Sequence, residues 1–128
     1  MTNIIESLLQ IPAETLHVEF KRLGDNKIVE KIVQTISAFA NTEGGVFVIG
    51  IDDPEKTKLS GLDRIFGIEE NPELFDAIGH EISKLIPPLT GIWPPKKIPV
   101  AEIGKNIALI SVPKAEQDFY SIHNQVLS

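Results

Sequence analysis

The chain has 128 residues, of which 42% are hydrophobic, and it carries a formal net charge of −6. The length fits a single domain with its own core, and the acidic balance argues against a generally basic nucleic-acid binder while leaving room for a local basic patch. The sequence has no cysteine and no apolar run of the roughly 18 residues that span a membrane, so disulfides, thiolate metal sites and a membrane partner are excluded, and we expect a cytoplasmic protein.

The first half of the chain predicts a helix, a strand, a second helix and a buried strand. Apolar residues at helical spacing predict a short helix over residues 4–9, and residues 17–22 alternate in the manner of a strand. The clearest helix follows over residues 28–39, where one apolar stripe runs along the whole segment. Residues 46–51 are apolar throughout, which is typical of a central strand buried on both faces.

The second half of the chain predicts one more helix and a hairpin. A helix covers residues 72–85 and ends at a proline pair. A strand over residues 98–103, a hairpin turn at 104–106 and a last strand over residues 107–112 follow. Since helices and strands alternate irregularly, we expect an α+β (mixed α/β) fold in which a small mixed β-sheet is flanked by helices.

Several acids lie at the ends or on the exposed faces of predicted strands. Asp52 and Asp53 directly follow the buried strand, where ligands often bind in sheet proteins. Together with Glu19 they could hold Mg²⁺ or Mn²⁺, which prefer oxygen ligands, and such an ion activates water. Glu14 could serve the same ion only if the chain bends before Glu19. The structural alternative is that Glu19 and Lys21 form an exposed ion pair worth ~0–1 kcal/mol and the aspartates form a turn.

The basic residues cluster between the first strand and the second helix. On an acidic protein the densest group is the best candidate for a phosphate-binding face, and it consists of Lys21, Arg22, Lys27 and Lys31. A second candidate is the lysine pair at 96–97. Each group has the alternative role of a solubilising surface.

The order of short motifs resembles one known family. The chain resembles the Schlafen AlbA-type domain over residues 11–119. The resemblance implies a small mixed sheet flanked by helices, and a domain described as DNA-binding that is often the N-terminal part of transcriptional regulators or helicase-related proteins. The motifs that carry it are "EFKR", "SAFANTEGG", "VFVIGIDD", "LIPP" and "GKNIALISVPK".

The same resemblance implies a set of site residues. Related domains in animal Schlafen proteins form a nuclease that cleaves structured RNA such as tRNA, with two glutamates five residues apart and an aspartate after the buried strand. Glu14 and Glu19 match the glutamates, and Asp53 is the closer match for the aspartate, with Asp52 as the fallback. Lys21 matches the basic residue of the "EFK" motif. These acids would be the catalytic and metal-binding residues, with Mg²⁺ or Mn²⁺ as the cofactor.

Two features depart from the nuclease of this resemblance. The catalytic Schlafen enzyme pairs two such lobes, whereas this chain has one, and a homodimer could supply the second. The family continues past its tyrosine with a strand that carries an arginine, whereas here the sequence ends with "DFYSIHNQVLS". We divide the single domain, 1–128, into an N-terminal helix at 1–11, a family core at 12–119 and a tail at 120–128, which we expect to be truncated.

Three functions follow as hypotheses. The first is a nucleic-acid-binding accessory domain whose partner is DNA or RNA and whose phosphate contacts are Lys21, Arg22, Lys27 and Lys31. The second is a metal-dependent endoribonuclease that acts on structured RNA through Glu14, Glu19 and Asp53 with Lys21. The third is a protein-interaction or oligomerisation module, which the acidic surface and the proline-rich second half suit.

Overall fold

The computed structural model describes residues 3–12, 17–85 and 91–114. Three short 3-10 segments accompany the regular elements, at Gly61–Arg64, Ile68–Glu70 and Ala101–Ile103. The helices and strands are, in chain order, α1 (Asn3–Leu9), β1 (Val18–Lys21), α2 (Ile28–Ala40), β2 (Gly45–Ile49), α3 (Pro72–Ile82), β3 (Lys96–Val100) and β4 (Lys105–Val112).

The four strands form one mixed sheet in the order β1-β2-β4-β3. β1 and β2 are parallel neighbours, and α2 connects them, as parallel strands require a crossover. β4 pairs antiparallel with β2 on one side and with β3 on the other. The α+β class with a mixed sheet and flanking helices is therefore confirmed. Within the described ranges, none of the helices is both long enough and apolar enough to cross a bilayer.

The core lies on both faces of this sheet. One face packs against α2 and α3, and Phe47 and Ile49 of β2 belong to that cluster. The other face packs against α1, where Ile5 and Leu8 join Val48 of β2. Because Phe47, Val48 and Ile49 are all fully buried, β2 is the central strand that its apolar sequence predicts.

The apolar stripe of α2 forms the helix as predicted. Its buried positions recur every three or four residues, so one side of the helix faces the sheet. Phe39 adds an edge-to-face contact with Phe47, with ring centroids 6.5 Å apart. The helix ends where the Gly44 N–H donates to the Phe39 carbonyl at 2.7 Å, and Gly44 has the positive φ, 80°, that this kind of helix end favours.

The predicted hairpin between the last two strands was wrong in its position. β3 ends at Val100 and a 3-10 turn takes residues 101–103, while Lys105 already pairs with Val100 in the sheet. Gly104 closes the turn with a φ of 64°. The apolar Ile103 fits the alternating pattern of a strand, although it packs onto the core from the turn. Alternation alone therefore places the turn too late.

Candidate nucleic-acid interface

A cleft of about 350 Å³ lies at the carboxyl ends of β1 and β2. The two strands are parallel and end together, because Lys21 is the register partner of Ile49. The start of α2 borders the same cleft through Ile28 and Lys31. Ligands gather at such strand ends in sheets with parallel pairs. The charged residues lining the cleft are Lys21, Arg22, Asp25, Lys31, Asp52, Asp53 and Lys56.

Lys21 is a half-buried basic residue that lines this cleft. The strand pleat places Glu19 and Lys21 on the same face, since their partners Phe47 and Ile49 both face α2. Burial lowers the pKa of Lys21, and the positive charge of Lys56 lowers that pKa further. The carboxylates of Glu19 and Asp53 act in the opposite direction on the same pKa. Lys56, Glu19 and Asp53 therefore all lie close enough to act on the Lys21 ammonium group.

Lys56 reaches the cleft on a tight turn that begins at Asp53. The Asp53 carbonyl accepts from the N–H groups of Lys56 and Thr57, at 3.0 and 3.1 Å, and its Oδ1 accepts from the Glu55 N–H at 2.9 Å. Lys56 was not among the site residues predicted from the sequence. Asp followed by Pro54 was a usable signal, because Asp at the first and Pro at the second position favour a type I turn, which returns the fourth residue towards the first.

Arg22 lines the cleft but already has an acidic partner. Its Nη2 lies 2.7 Å from Glu70 Oε2, and its Nε donates to both carboxylate oxygens of Glu70, at 2.8 and 3.0 Å. Hydrogen bonding to Glu70 raises the pKa of Arg22. The guanidinium carbon also lies 3.6 Å from the ring centroid of Phe66. Arg22 is thus fixed to the wall of the cleft, whereas the predicted phosphate contact needs its N–H groups.

The remaining basic candidates divide between the cleft and other surfaces. Lys31 is exposed and lines the cleft. Lys27 is exposed at the start of α2 but is not among the lining residues. Lys96 and Lys97 lie on β3, at the opposite edge of the sheet from β1. The structure therefore brings Lys21, Arg22 and Lys31 together with Lys56.

Most of the chain matches one protein family. The family model described as Schlafen, AlbA_2 matches residues 14–126. The chain belongs to the Schlafen AlbA_2 family. The resemblance stated from the sequence motifs is confirmed.

One solved structure shows the same fold. In the crystal structure of the DIP2311 protein from Corynebacterium diphtheriae, the similar region covers 90% of this chain and 26% of that chain, at 22% sequence identity and a TM-score of 0.53. The AlbA_2 domain thus corresponds to about a quarter of that protein. At this identity the likeness shows the fold alone.

The acids that the family resemblance implies are only partly visible in this AlbA_2 domain. Glu14 lies outside the described residues. Within the described ranges no three carboxylate or imidazole side chains are arranged to hold a metal ion, so Glu19, Asp52 and Asp53 alone do not form a site for Mg²⁺ or Mn²⁺. The metal site of Glu14, Glu19 and Asp53 stays a prediction.

Proposed function

We propose that this AlbA_2 domain binds nucleic acid by holding a backbone phosphate in the cleft, with Lys21 and Lys56 as its principal contacts. The observation that carries the proposal is that Lys21 and Lys56 both line the cleft at the strand ends, where the charge of Lys56 lowers the pKa of Lys21. Two like charges in a partly buried place repel each other. A phosphate between them would offset that repulsion through charge-assisted hydrogen bonds.

The lowered pKa of Lys21 supports an anion as the occupant. Burial and Lys56 both disfavour the charged form of Lys21, and an anion bound beside it would favour that form again. The nearby carboxylates of Glu19 and Asp53 act in the opposite direction on the same pKa, and burial of Lys21 is the largest cause of its lowering. Four basic side chains, Lys21, Arg22, Lys31 and Lys56, line the cleft beside three aspartates.

A nucleic-acid backbone suits this cleft better than an isolated small anion. Lys31 also lines the cleft and would meet a neighbouring phosphate of an extended strand. The family resemblance independently points to nucleic acid, and to a domain that works as the N-terminal accessory part of a transcriptional regulator or helicase-related protein. We propose DNA or RNA as the partner on these two grounds.

The salt dependence of binding tests the proposal. Lys21→Ala combined with Lys56→Ala should weaken binding of labelled single-stranded and duplex DNA and RNA, and should flatten the plot of log affinity against log salt by about one unit per lysine. The measurement is fluorescence anisotropy between low and moderate salt. The control pair Lys58→Ala with Lys96→Ala makes the same change in net charge at two exposed positions outside the cleft.

Two outcomes would contradict the proposal. If the control pair loses as much affinity and slope as the cleft pair, the interface lies elsewhere on the surface. If the wild-type protein shows no affinity at low salt but forms a stable dimer in light scattering, the chain is an interaction module.

A second candidate function is a metal-dependent endoribonuclease. The observation that favours it is that Glu19 and Asp53 both act on the pKa of Lys21, so two acids named by the family resemblance lie near one lysine. If this candidate is right, the wild-type protein should cleave tRNA in the presence of Mn²⁺. Glu19→Gln should abolish cleavage without changing the melting temperature of the protein by more than a few degrees. Intact tRNA at high protein concentration would leave binding as the function.

A further inference from the structure

We infer that Arg64 is a positioning residue that holds the turn carrying Lys56 in place opposite Lys21. The inference rests on the proposed function, because it concerns how the phosphate-binding pair of lysines is assembled. Arg64 lies at the end of the 3-10 segment Gly61–Arg64, outside the cleft, and the sequence analysis assigned it no role.

Arg64 is buried, and its guanidinium joins two separate parts of the chain. Only 4% of the residue is exposed. Its Nε and Nη2 donate to the backbone carbonyl of Asp52, at 3.2 and 3.0 Å, and its Nη1 donates to the carbonyl of Leu9 at 3.0 Å. The Asp52 N–H returns a bond to the Arg64 carbonyl at 2.8 Å. Asp52 is therefore fixed at both its N–H and its carbonyl.

The fixed backbone of Asp52 is the base of the turn that presents Lys56. The next residue, Asp53, accepts the Lys56 N–H and thereby closes the turn. Glu55, Lys56 and Lys58 are exposed, so few side chains of this segment are anchored in the core. The position of the Lys56 ammonium consequently depends on the hydrogen bonds at the base of the turn, and Arg64 supplies two of them.

The shape of arginine matters for this task. Its planar fork sends N–H groups to two carbonyls that lie in different directions, which a single lysine ammonium cannot reproduce with the same geometry. The Leu9 carbonyl belongs to the last turn of α1, where a positive charge is also favoured by the helix dipole. The carboxylates of Asp52 and Asp53 offset part of the burial of this charge, although burial still lowers the pKa of Arg64.

A double-mutant cycle separates positioning from general stability. Arg64→Gln and Lys56→Ala are made singly and together, and binding of a labelled single-stranded oligonucleotide is measured well below the lowest melting temperature. We expect each single variant to weaken binding about fivefold, as for the loss of one exposed ion pair. We expect the double variant to bind no worse than Lys56→Ala alone, because interacting residues are non-additive. Additive losses would overturn the inference.

A measurement without ligand keeps this test distinct from the proposed function. The pKa of Lys21, followed by NMR of its side chain, should rise in Lys56→Ala, because the repulsion from Lys56 is removed. It should also rise in Arg64→Gln, since Lys56 affects Lys21 more strongly than Asp53 does. Arg64→Lys should give a smaller rise, and it replaces Arg64→Gln if the latter does not fold.

The two measurements give distinguishable failures. An unchanged Lys21 pKa in a folded Arg64 variant would overturn the positioning role. A raised pKa in a protein whose wild type binds no oligonucleotide would support the positioning role and reject the proposed function.

Discussion

Alanine in place of Gly50 is expected to lower the free energy of unfolding by about 3 kcal/mol, through backbone strain and a forced displacement. Gly50 has a φ of 104°, which side chains rarely adopt. A Cβ atom there would lie 3.0 Å from the Cα and 3.1 Å from the carbonyl carbon of Gly67. Gly67 cannot easily withdraw, because the Gly50 carbonyl accepts from the N–H groups of Phe66 and Gly67, at 2.8 and 2.9 Å.

The matched control for this prediction is Gly104→Ala. Gly104 also has a positive φ, 64°, but a Cβ there would meet nothing within 4 Å, so only the left-handed backbone is penalised, by about 1–2 kcal/mol. Urea unfolding of both variants measures the difference. Equal losses of unfolding free energy in the two variants would show that the close approach of Gly50 to Gly67 adds nothing to the cost of the substitution. Because Gly50 lies two residues before Asp52, at the start of the segment that carries Asp53 and Lys56, its replacement should also weaken nucleic-acid binding.

The periodicity and composition of the sequence were sufficient to predict most of the fold. α2 could be predicted because its apolar positions repeat at helical spacing, and most of them are buried, including Val29, Ile32 and Ile36. β2 could be predicted because an unbroken apolar run has to be covered on both sides, as Phe47, Val48 and Ile49 are. The shared face of Glu19 and Lys21 follows from the strand pleat alone. In each case the information is local.

The candidate site could be predicted only in part, because much of it depends on contacts between distant residues. Arg22 was grouped with free lysines, yet it pairs with Glu70, which lies 48 positions along the chain. Arginine is usually found at the surface, yet Arg64 is buried, because its N–H groups donate to the carbonyls of Leu9 and Asp52. No spacing rule reports such pairs. The turn that carries Lys56 could be predicted from turn rules, whereas the closeness of Lys56 to Lys21 could not.

The distribution of charge limits how the cleft can work. With a net charge of −6, the protein as a whole repels a polyanion, so long-range steering does not favour encounter with DNA or RNA. At about 0.1 M salt, charges farther than about 10 Å apart are largely screened, while the short-range contacts of Lys21 and Lys56 remain. Binding through this cleft therefore depends on local geometry, and a change of a single lysine there should have a large effect.

Lys56→Glu is the change expected to affect binding most. It removes one attraction to the bound phosphate and adds one repulsion, which together are worth about 2 kcal/mol in a partly exposed cleft, or roughly a 30-fold rise in Kd. The control Lys58→Glu makes the same change in net charge two residues further on, at an exposed position that does not line the cleft, and should alter Kd only a few-fold through the overall charge.

The pKa of Lys21 shows whether Lys56→Glu acts where we propose. Lys56 lowers that pKa in the wild type, so a carboxylate at position 56 should raise it, and Lys21 should stay protonated to higher pH than in the wild type. Binding nevertheless falls, because the phosphate meets a negative charge where it met a positive one. Equal losses in Lys56→Glu and Lys58→Glu, with no change in the Lys21 pKa, would show that the two lysines do not form one site.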